Sequence, residues 1–223
     1  MSVLAIIPAR SGSKEIKNKN FISLKGKKLI QYTIEESLKS KIIDRIYVSS
    51  DSKKILKFSK KFKISTIMRP KRISLDNSKT IDCVKHLLRY LKKKENYSPK
   101  FVIVLQPTSP LRNHFHIDNA LIKLIQHKNA DSLVSCIKVP HHFTPQKLMT
   151  IKKNNFLQFD KKIIRRQKIK NYFARNGAAI YIFNYSKVKN NLFGKKVIPF
   201  IMDKKSSFDI DDLEDLNIVK KLI

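Results

Sequence analysis

The stretch IIPARSGSKEIKNKN, residues 6–20, decides how the rest of the chain is read. It opens as an apolar run that reaches back to Val3, breaks at Pro8, and becomes Arg10, Lys14, Lys17 and Lys19 around Gly12. A short continuous apolar run suits a strand buried on both faces. A basic, glycine-containing loop directly after such a strand lies where α/β proteins bind ligands, provided that strands and helices alternate downstream.

They do alternate. Periodicity predicts strands over residues 3–7, 45–49, 64–68, 101–105 and 131–139, and helices over residues 29–38, 53–62, 80–93 and 117–127. The segments just after the strands, residues 8–20, 50–51, 69–70 and 106–112, are then where chemistry is expected. Beyond residue 139 the alternation stops. Residues 140–175 carry His, Phe, Pro and paired bases in no regular pattern and read as an insertion, a subdomain or dimer arm. Strands in GAAIYIF (177–183) and KVIPFIM (196–202) and a helix over 212–222 complete the core. The expectation is one α/β domain over residues 1–223, with a mostly parallel central sheet flanked by helices and a small dimerisation insertion at 140–175.

Composition narrows the function classes. The 223 residues suffice for one sizeable core. A net charge of +31, from 48 basic and 17 acidic residues, would by itself suit a polyanionic partner. Only nine of the basic residues are arginine, however, and the lysines are spread over predicted helices and loops rather than gathered in a stripe. No nucleic-acid partner is expected. Cys83 and Cys136 make no disulfide framework and read as core residues, which fits a reducing compartment. The N-terminus lacks the pattern of a signal peptide, and no apolar run approaches a membrane span. The expectation is a cytoplasmic protein with no membrane partner.

Two clusters carry chemistry. Arg10, Ser13, Lys14 and Lys19 place cations and donors within ten residues of a strand end, with Gly12 allowing close backbone approach, as a triphosphate requires. Neither G-x-x-x-x-G-K-[ST] nor G-x-G-x-x-G is present. Far along the chain, Asp209 and Asp211 are spaced i, i+2 on an extended stretch, so both carboxylates face one side and can hold Mg²⁺. Asp211 or Asp212 can instead cap the last helix. In LQPTSPLR, Gln106 and Arg112 follow a buried strand and stand as further candidates. His141 and His142 have no partner at regular spacing, which argues against zinc.

Six segments in this order, IIPARSGSKEIKNKN, RIYVSSDS, RPKRISLDNSKTID, LQPTSPLR, NGAAIYIF and DIDDLEDL, resemble the bacterial acylneuraminate cytidylyltransferases, or CMP-sialic acid synthetases. The resemblance covers residues 3–220. It implies a Rossmann-like nucleotidyltransferase of cell-surface polysaccharide biosynthesis that uses CTP and Mg²⁺, with Mn²⁺ as a substitute, to join CMP to a nonulosonic acid and release pyrophosphate. On this sequence it assigns Arg10, Ser13, Lys14 and Lys19 to the triphosphate, Asn20 to the ribose or base, and Arg69, Ser78 and Thr80 to cytosine. Gln106 and Arg166 go to the sugar acid, and Asp209 and Asp211 to the metal. Arg10, Lys19 and Asp211 would be catalytic, the first two neutralising phosphate charge and the third as side-chain base. The family's homodimers exchange the segment corresponding to residues 140–175. This chain departs from the family at Glu15, often Gly there, at Lys17, often Pro, and at Ala174, where an Arg is common and Arg175 stands beside it. A related family, the 3-deoxy-octulosonate cytidylyltransferases, shares the strand-Pro-Ala-Arg opening but lacks this loop's spacing. A basic nucleic-acid-binding protein is the alternative of a different class.

Overall fold

The computed structural model describes residues 1–13, 15–153, 155–159, 170–177, 179–187 and 190–223. The first strand, β1 (Val3–Pro8), is central, and its residues Val3 to Ile7 are fully buried. After the short hairpin of β2 (Ser23–Leu24) and β3 (Lys27–Lys28), turned by Lys25 and Gly26 with positive φ, come α1 (Leu29–Lys39) and β4 (Arg45–Ser50). There follow α2 (Lys53–Lys60), β5 (Ser65–Met68), α3 (Thr80–Glu95) and β6 (Phe101–Val104). α4 (His114–Gln126) leads into β7 (Ser132–Lys138).

β1, β4, β5 and β6 are mutually parallel, with β1 between β4 and β6. The chain winds from β1 outward through β4 to β5, then crosses back to β6 on the other side of β1. That reversal opens a crevice beyond the carboxyl ends of β1 and β6. Alternate residues of β1 enter two cores. Val3, Ala5 and Ile7 meet α1, α2 and α4 through Ile30, Ile34, Ile55 and Leu121, while Leu4 and Ile6 meet α3 through Val84, Leu87 and Leu91. Each such aliphatic side chain taken from water contributes about 1.5–3 kcal/mol, which is why this run reads as uninterrupted apolar sequence.

Helix ends follow local chemistry. Asn113 caps α4 in a reciprocal box with His116, and α3 ends on three lysines and left-handed Asn96, matching its dipole and C-terminal geometry. The last helix, α5 (Leu213–Leu222), is capped by Asp212 in a box with Asp215, so Asp212 takes the capping role and Asp211 lies outside it.

The irregular segment holds a small antiparallel pair, β8 (Met149–Ile151) with β9 (Leu157–Phe159), then β10 (Phe173–Arg175). β11 (Tyr181–Asn184) and β12 (Val197–Ile201) close the sheet. Here the structure corrects the expected strand over residues 177–183. β10 and β11 both run antiparallel to β7, Phe173 opposite Lys138 and Phe183 opposite Ser132, as one line interrupted at residues 176–180. The interruption is held by buried side chains. Ser135 donates its hydroxyl to Asn176 Oδ1 at 2.7 Å and accepts the Ile180 N–H at 2.9 Å. Gly177 takes a left-handed φ of +59° there.

Candidate active site

The loop after β1 is fixed at both ends. Ala9 N–H continues the ladder to Ser49 O at 2.9 Å. Ser11 gives its N–H and hydroxyl to the two oxygens of Asp51, at 2.8 and 2.6 Å. Asn20 Nδ2 donates to Arg10 O at 2.9 Å, and left-handed Asn18 leads into a 3-10 turn over Lys19–Phe21. Ile16 is buried in a third cluster with Leu24, Leu29, Ile210, Leu216 and Val219, whereas Glu15 and Lys17 are exposed. That apolar contact brings the loop to the far C-terminal segment. Ile210 lies in the same cluster between the two aspartates, and Lys19 Nζ reaches Asp211 Oδ1 at 3.0 Å.

The other wall comes from the ends of β4 and β5. Arg69 is buried and donates from Nε to Ser49 Oγ (3.2 Å) and from Nη2 to Ser49 O (2.7 Å). Beyond it, Leu75 N–H donates to Ser78 Oγ, and Thr80 opens α3. Asp76, on this loop, pairs with Arg10 Nη1 at 2.6 Å. These walls enclose a cavity of about 290 Å³ lined by Arg10, Ser13, Lys19, Asn20, Arg69, Ser78, Thr80, Gln106 and Asp211, together with Asp76 and Thr108. Nine of the residues singled out in the sequence therefore surround one space. Lys14 and Arg166 lie outside the described residues.

Asp209, unlike Asp211, does not line that cavity. Its Oδ1 accepts the Ser109 hydroxyl at 2.9 Å, and the adjacent Ile210 N–H is tied to Thr108 O. Gly177 leans on it so closely that a Cβ there would lie 2.1 Å from Asp209 Cγ. Burial pushes the Asp209 carboxyl up, as does the negative charge of Asp211, while the hydroxyls of Thr108 and Ser109 and the Lys19 cation act against this. Asp209 is largely shielded, whereas Asp211 is open to solvent. Among the described residues no group of three or more His, Cys, Asp and Glu side chains forms a metal cluster. Of the two aspartates expected to hold the metal, only Asp211 lines the cavity. Its exposed carboxylate is a hard oxygen donor of the kind Mg²⁺ takes, an ion that needs few protein ligands and completes its shell with water and phosphate.

Arg112 does not face the cavity, contrary to its place as a candidate ligand. It is fully buried and donates from Nη1 to Gln106 O and Ala179 O, at 3.1 and 2.8 Å, and from Nη2 to the Thr33 hydroxyl at 2.7 Å. It braces the loop after β6 against α1 and the bulge. Gln106 is thereby held on the boundary between the first cavity and a neighbouring one lined also by Arg175, Gly177 and Tyr181. Arg175 lines that neighbouring cavity, beside Phe193 and near the Tyr181 hydroxyl, whereas Arg165 and Arg166, the other source of the guanidinium that Ala174 lacks, lie outside the described residues. Asp51 falls in the 50–51 segment where chemistry is expected, but the sequence by itself assigns no specific role to Asp51, Asp76 or Ser49. A carboxylate directly after a parallel strand was the one visible signal for Asp51.

A family model described as cytidylyltransferase matches residues 4–222. The chain belongs to the cytidylyltransferase family. Among curated relatives of this cytidylyltransferase is the N-acylneuraminate cytidylyltransferase of Escherichia coli O18:K1:H7, 33% identical over 97% of this chain. The chain spans about half the length of that relative, 51%. The pseudaminic acid cytidylyltransferase of Campylobacter jejuni serotype O:23/36 is 30% identical over 100% of this chain and 96% of its own length. Among solved structures, CMP:2-keto-3-deoxy-manno-octonic acid synthetase complexed with CTP shares the fold at a TM-score of 0.71 and 16% identity, covering 100% of this chain and 98% of that one. The shared fold is the mixed α/β sheet described above.

Proposed function

We propose that this chain transfers CMP from CTP to the anomeric hydroxyl of a nonulosonic acid, a sugar of the neuraminic, legionaminic or pseudaminic type, and releases pyrophosphate. The observation that carries this reading is the meeting of Lys19 and Asp211, 192 positions apart, at the rim of a cavity that also holds Arg10 and Arg69. Cations suited to a triphosphate and the Asp211 carboxylate line one space, which supports the reading. The full-length similarity to the pseudaminic acid enzyme supports the sugar class.

The attacking hydroxyl oxygen forms a bond to the α-phosphorus as the bond to the bridging oxygen breaks, leaving pyrophosphate. Arg10 and Lys19 lie where they neutralise charge on the α-phosphate and the departing group, the largest contribution a protein makes to such a transfer. Asp211, exposed at the rim, accepts the hydroxyl proton. Asp209 and Asp211 would hold Mg²⁺, which when bound offsets phosphate charge and acidifies the nucleophile. Arg69, Ser78 and Thr80 face the cytosine, and Ser13 and Asn20 complete the nucleotide wall. Gln106 reaches the sugar from the shared boundary, and Arg175, which lines the second cavity, would meet a sugar carboxylate.

The described residues of the 140–175 segment are consistent with a homodimer. Phe143, Ile151, Phe156, Leu157 and Phe173 are all exposed there, an apolar surface that a second copy would cover. No helix among the described residues is long and apolar enough to cross a membrane. A cytoplasmic site of action is part of the proposal, as CTP is made there.

The test is pyrophosphate release by the purified protein with CTP, Mg²⁺ and each acid in turn, omitting one component at a time. Release that needs all three supports the reading, and the acid with the highest kcat/KM names the sugar. Release no greater than the control without acid, for every acid, contradicts it. In the same assay Arg10→Ala is expected to lower kcat/KM for CTP by about 10²–10³, the loss typical of one charge-stabilising donor. Circular dichroism checks that the fold is retained.

A further inference from the structure

Resting on the nucleotide reading above, we propose that Asp51 is the positioning residue of the phosphate loop. Its carboxylate fixes the backbone from which Arg10 is presented to the nucleotide, without touching the nucleotide itself, while the Arg10 guanidinium pairs with Asp76.

The geometry is local and complete. β1 and β4 pair in parallel up to Pro8 opposite Ser49, and the ladder gains one more rung at Ala9 N–H to Ser49 O. There the backbone of β4 turns away into α2, and a free loop would begin. The Asp51 side chain takes over the ladder, accepting the Ser11 N–H on one oxygen and the Ser11 hydroxyl on the other. Arg10 therefore lies between two tethered peptide groups, and its own carbonyl accepts the Asn20 amide. Three tethers around a single residue leave its backbone one orientation. Asp51 does not line the cavity, so its influence passes through Ser11.

The need for such a device follows from the sequence. The loop carries Gly12 between two serines, a run of small residues that on its own would sample many conformations. A cation that must meet a phosphate in near-attack geometry loses about 10²-fold in rate for a displacement near 1 Å. The same strand end serves the second arginine, since Ser49 holds the Arg69 guanidinium and Ser50 O accepts the Arg69 N–H at 2.8 Å. The SSD sequence at residues 49–51 thus aligns both cationic walls from one rigid strand.

The experiment compares wild type, Asp51→Ala, Asp51→Asn, Ser11→Ala and the double variant Asp51→Ala/Ser11→Ala. Asp51→Ala should lower kcat/KM for CTP by about 10²-fold, the magnitude of a misplaced reacting group, with KM for the sugar acid unchanged. Asp51→Asn, which keeps an oxygen for the Ser11 N–H, should recover a large part of the loss. The double variant should be no worse than Asp51→Ala, because the Ser11 hydroxyl then has no partner to lose. Additive losses, or Asp51→Ala at wild-type kcat/KM, overturn the proposal. Hydrogen exchange of the amides at residues 10–13 gives a readout independent of turnover. Protection there should fall in Asp51→Ala while the β1 and β4 amides stay protected. If wild type releases no pyrophosphate with any acid, the nucleotide reading fails and the exchange data still judge the clamp. Unchanged exchange at residues 10–13 sinks the clamp itself.

Discussion

Arg112→Ala is expected to destabilise the protein by about 3–5 kcal/mol, the range for truncating a large buried side chain to alanine, with the acceptors it serves left orphaned as well. The side chain is the largest among the fully buried ones, and its guanidinium serves two carbonyls and a hydroxyl from three separate elements. Burial pushes its pKa down to about 10, opposed by Glu36 and Asp209, so it still carries its charge at neutral pH. Truncation leaves Gln106 O, Ala179 O and the Thr33 hydroxyl with their donor gone, each a cost of about 1–3 kcal/mol if not rehydrated, and leaves a cavity as well. Arg112→Lys should recover little, because an ammonium cannot reproduce the planar fork that reaches all three acceptors. Urea unfolding followed by circular dichroism measures this. A loss below about 1 kcal/mol, the ordinary effect of a surface change, would mean that the brace is not structural.

Gly177→Ala should act on chemistry more than on folding. A left-handed backbone costs a non-glycine residue about 1–2 kcal/mol, which the fold can sustain. The methyl group, however, would overlap the Asp209 carboxyl group at 2.1 Å, and that carboxylate is fixed on its other side by Ser109. Asp209 has to leave its place. With a proposed metal ligand displaced, kcat should fall by about 10²-fold, and the Mg²⁺ concentration for half-maximal rate should rise. Ser109→Ala, which loosens the same carboxylate without pushing on it, should show a milder form of the same change. Unaltered Mg²⁺ dependence in Gly177→Ala would separate Asp209 from metal binding.

These two residues mark what the sequence made legible and what it did not. β1, β4, β6 and helices α1 to α4 follow from periodicity, because strands covered on both faces and amphipathic helices leave strong local patterns. The basic loop and the aspartate pair were visible as residue types, and the family resemblance tied them together. The direction of β10 and β11 was not visible, since alternation carries no sign of parallel or antiparallel pairing. The bulge at residues 176–180 rests on Ser135 and Asn176, 41 positions apart, which no local window joins. Arg112 read as a ligand because an arginine after a buried strand ordinarily faces solvent or substrate. Its burial depends on Thr33 and Ala179, 79 and 67 positions away. Ile16, an apolar residue within the charged loop, docks that loop against α5 through Leu216 and Val219, about 200 positions away, which no local window joins.

The most direct measurement follows the α-phosphorus itself. CTP labelled at the α-phosphate is incubated with the protein, Mg²⁺ and a nonulosonic acid, and the products are separated by anion exchange. The account predicts that the label moves into a single CMP-sugar, in amount equal to the pyrophosphate released and only when the acid is present. Label that remains in CTP, or that emerges as free CMP at the same rate with and without each acid, would contradict it.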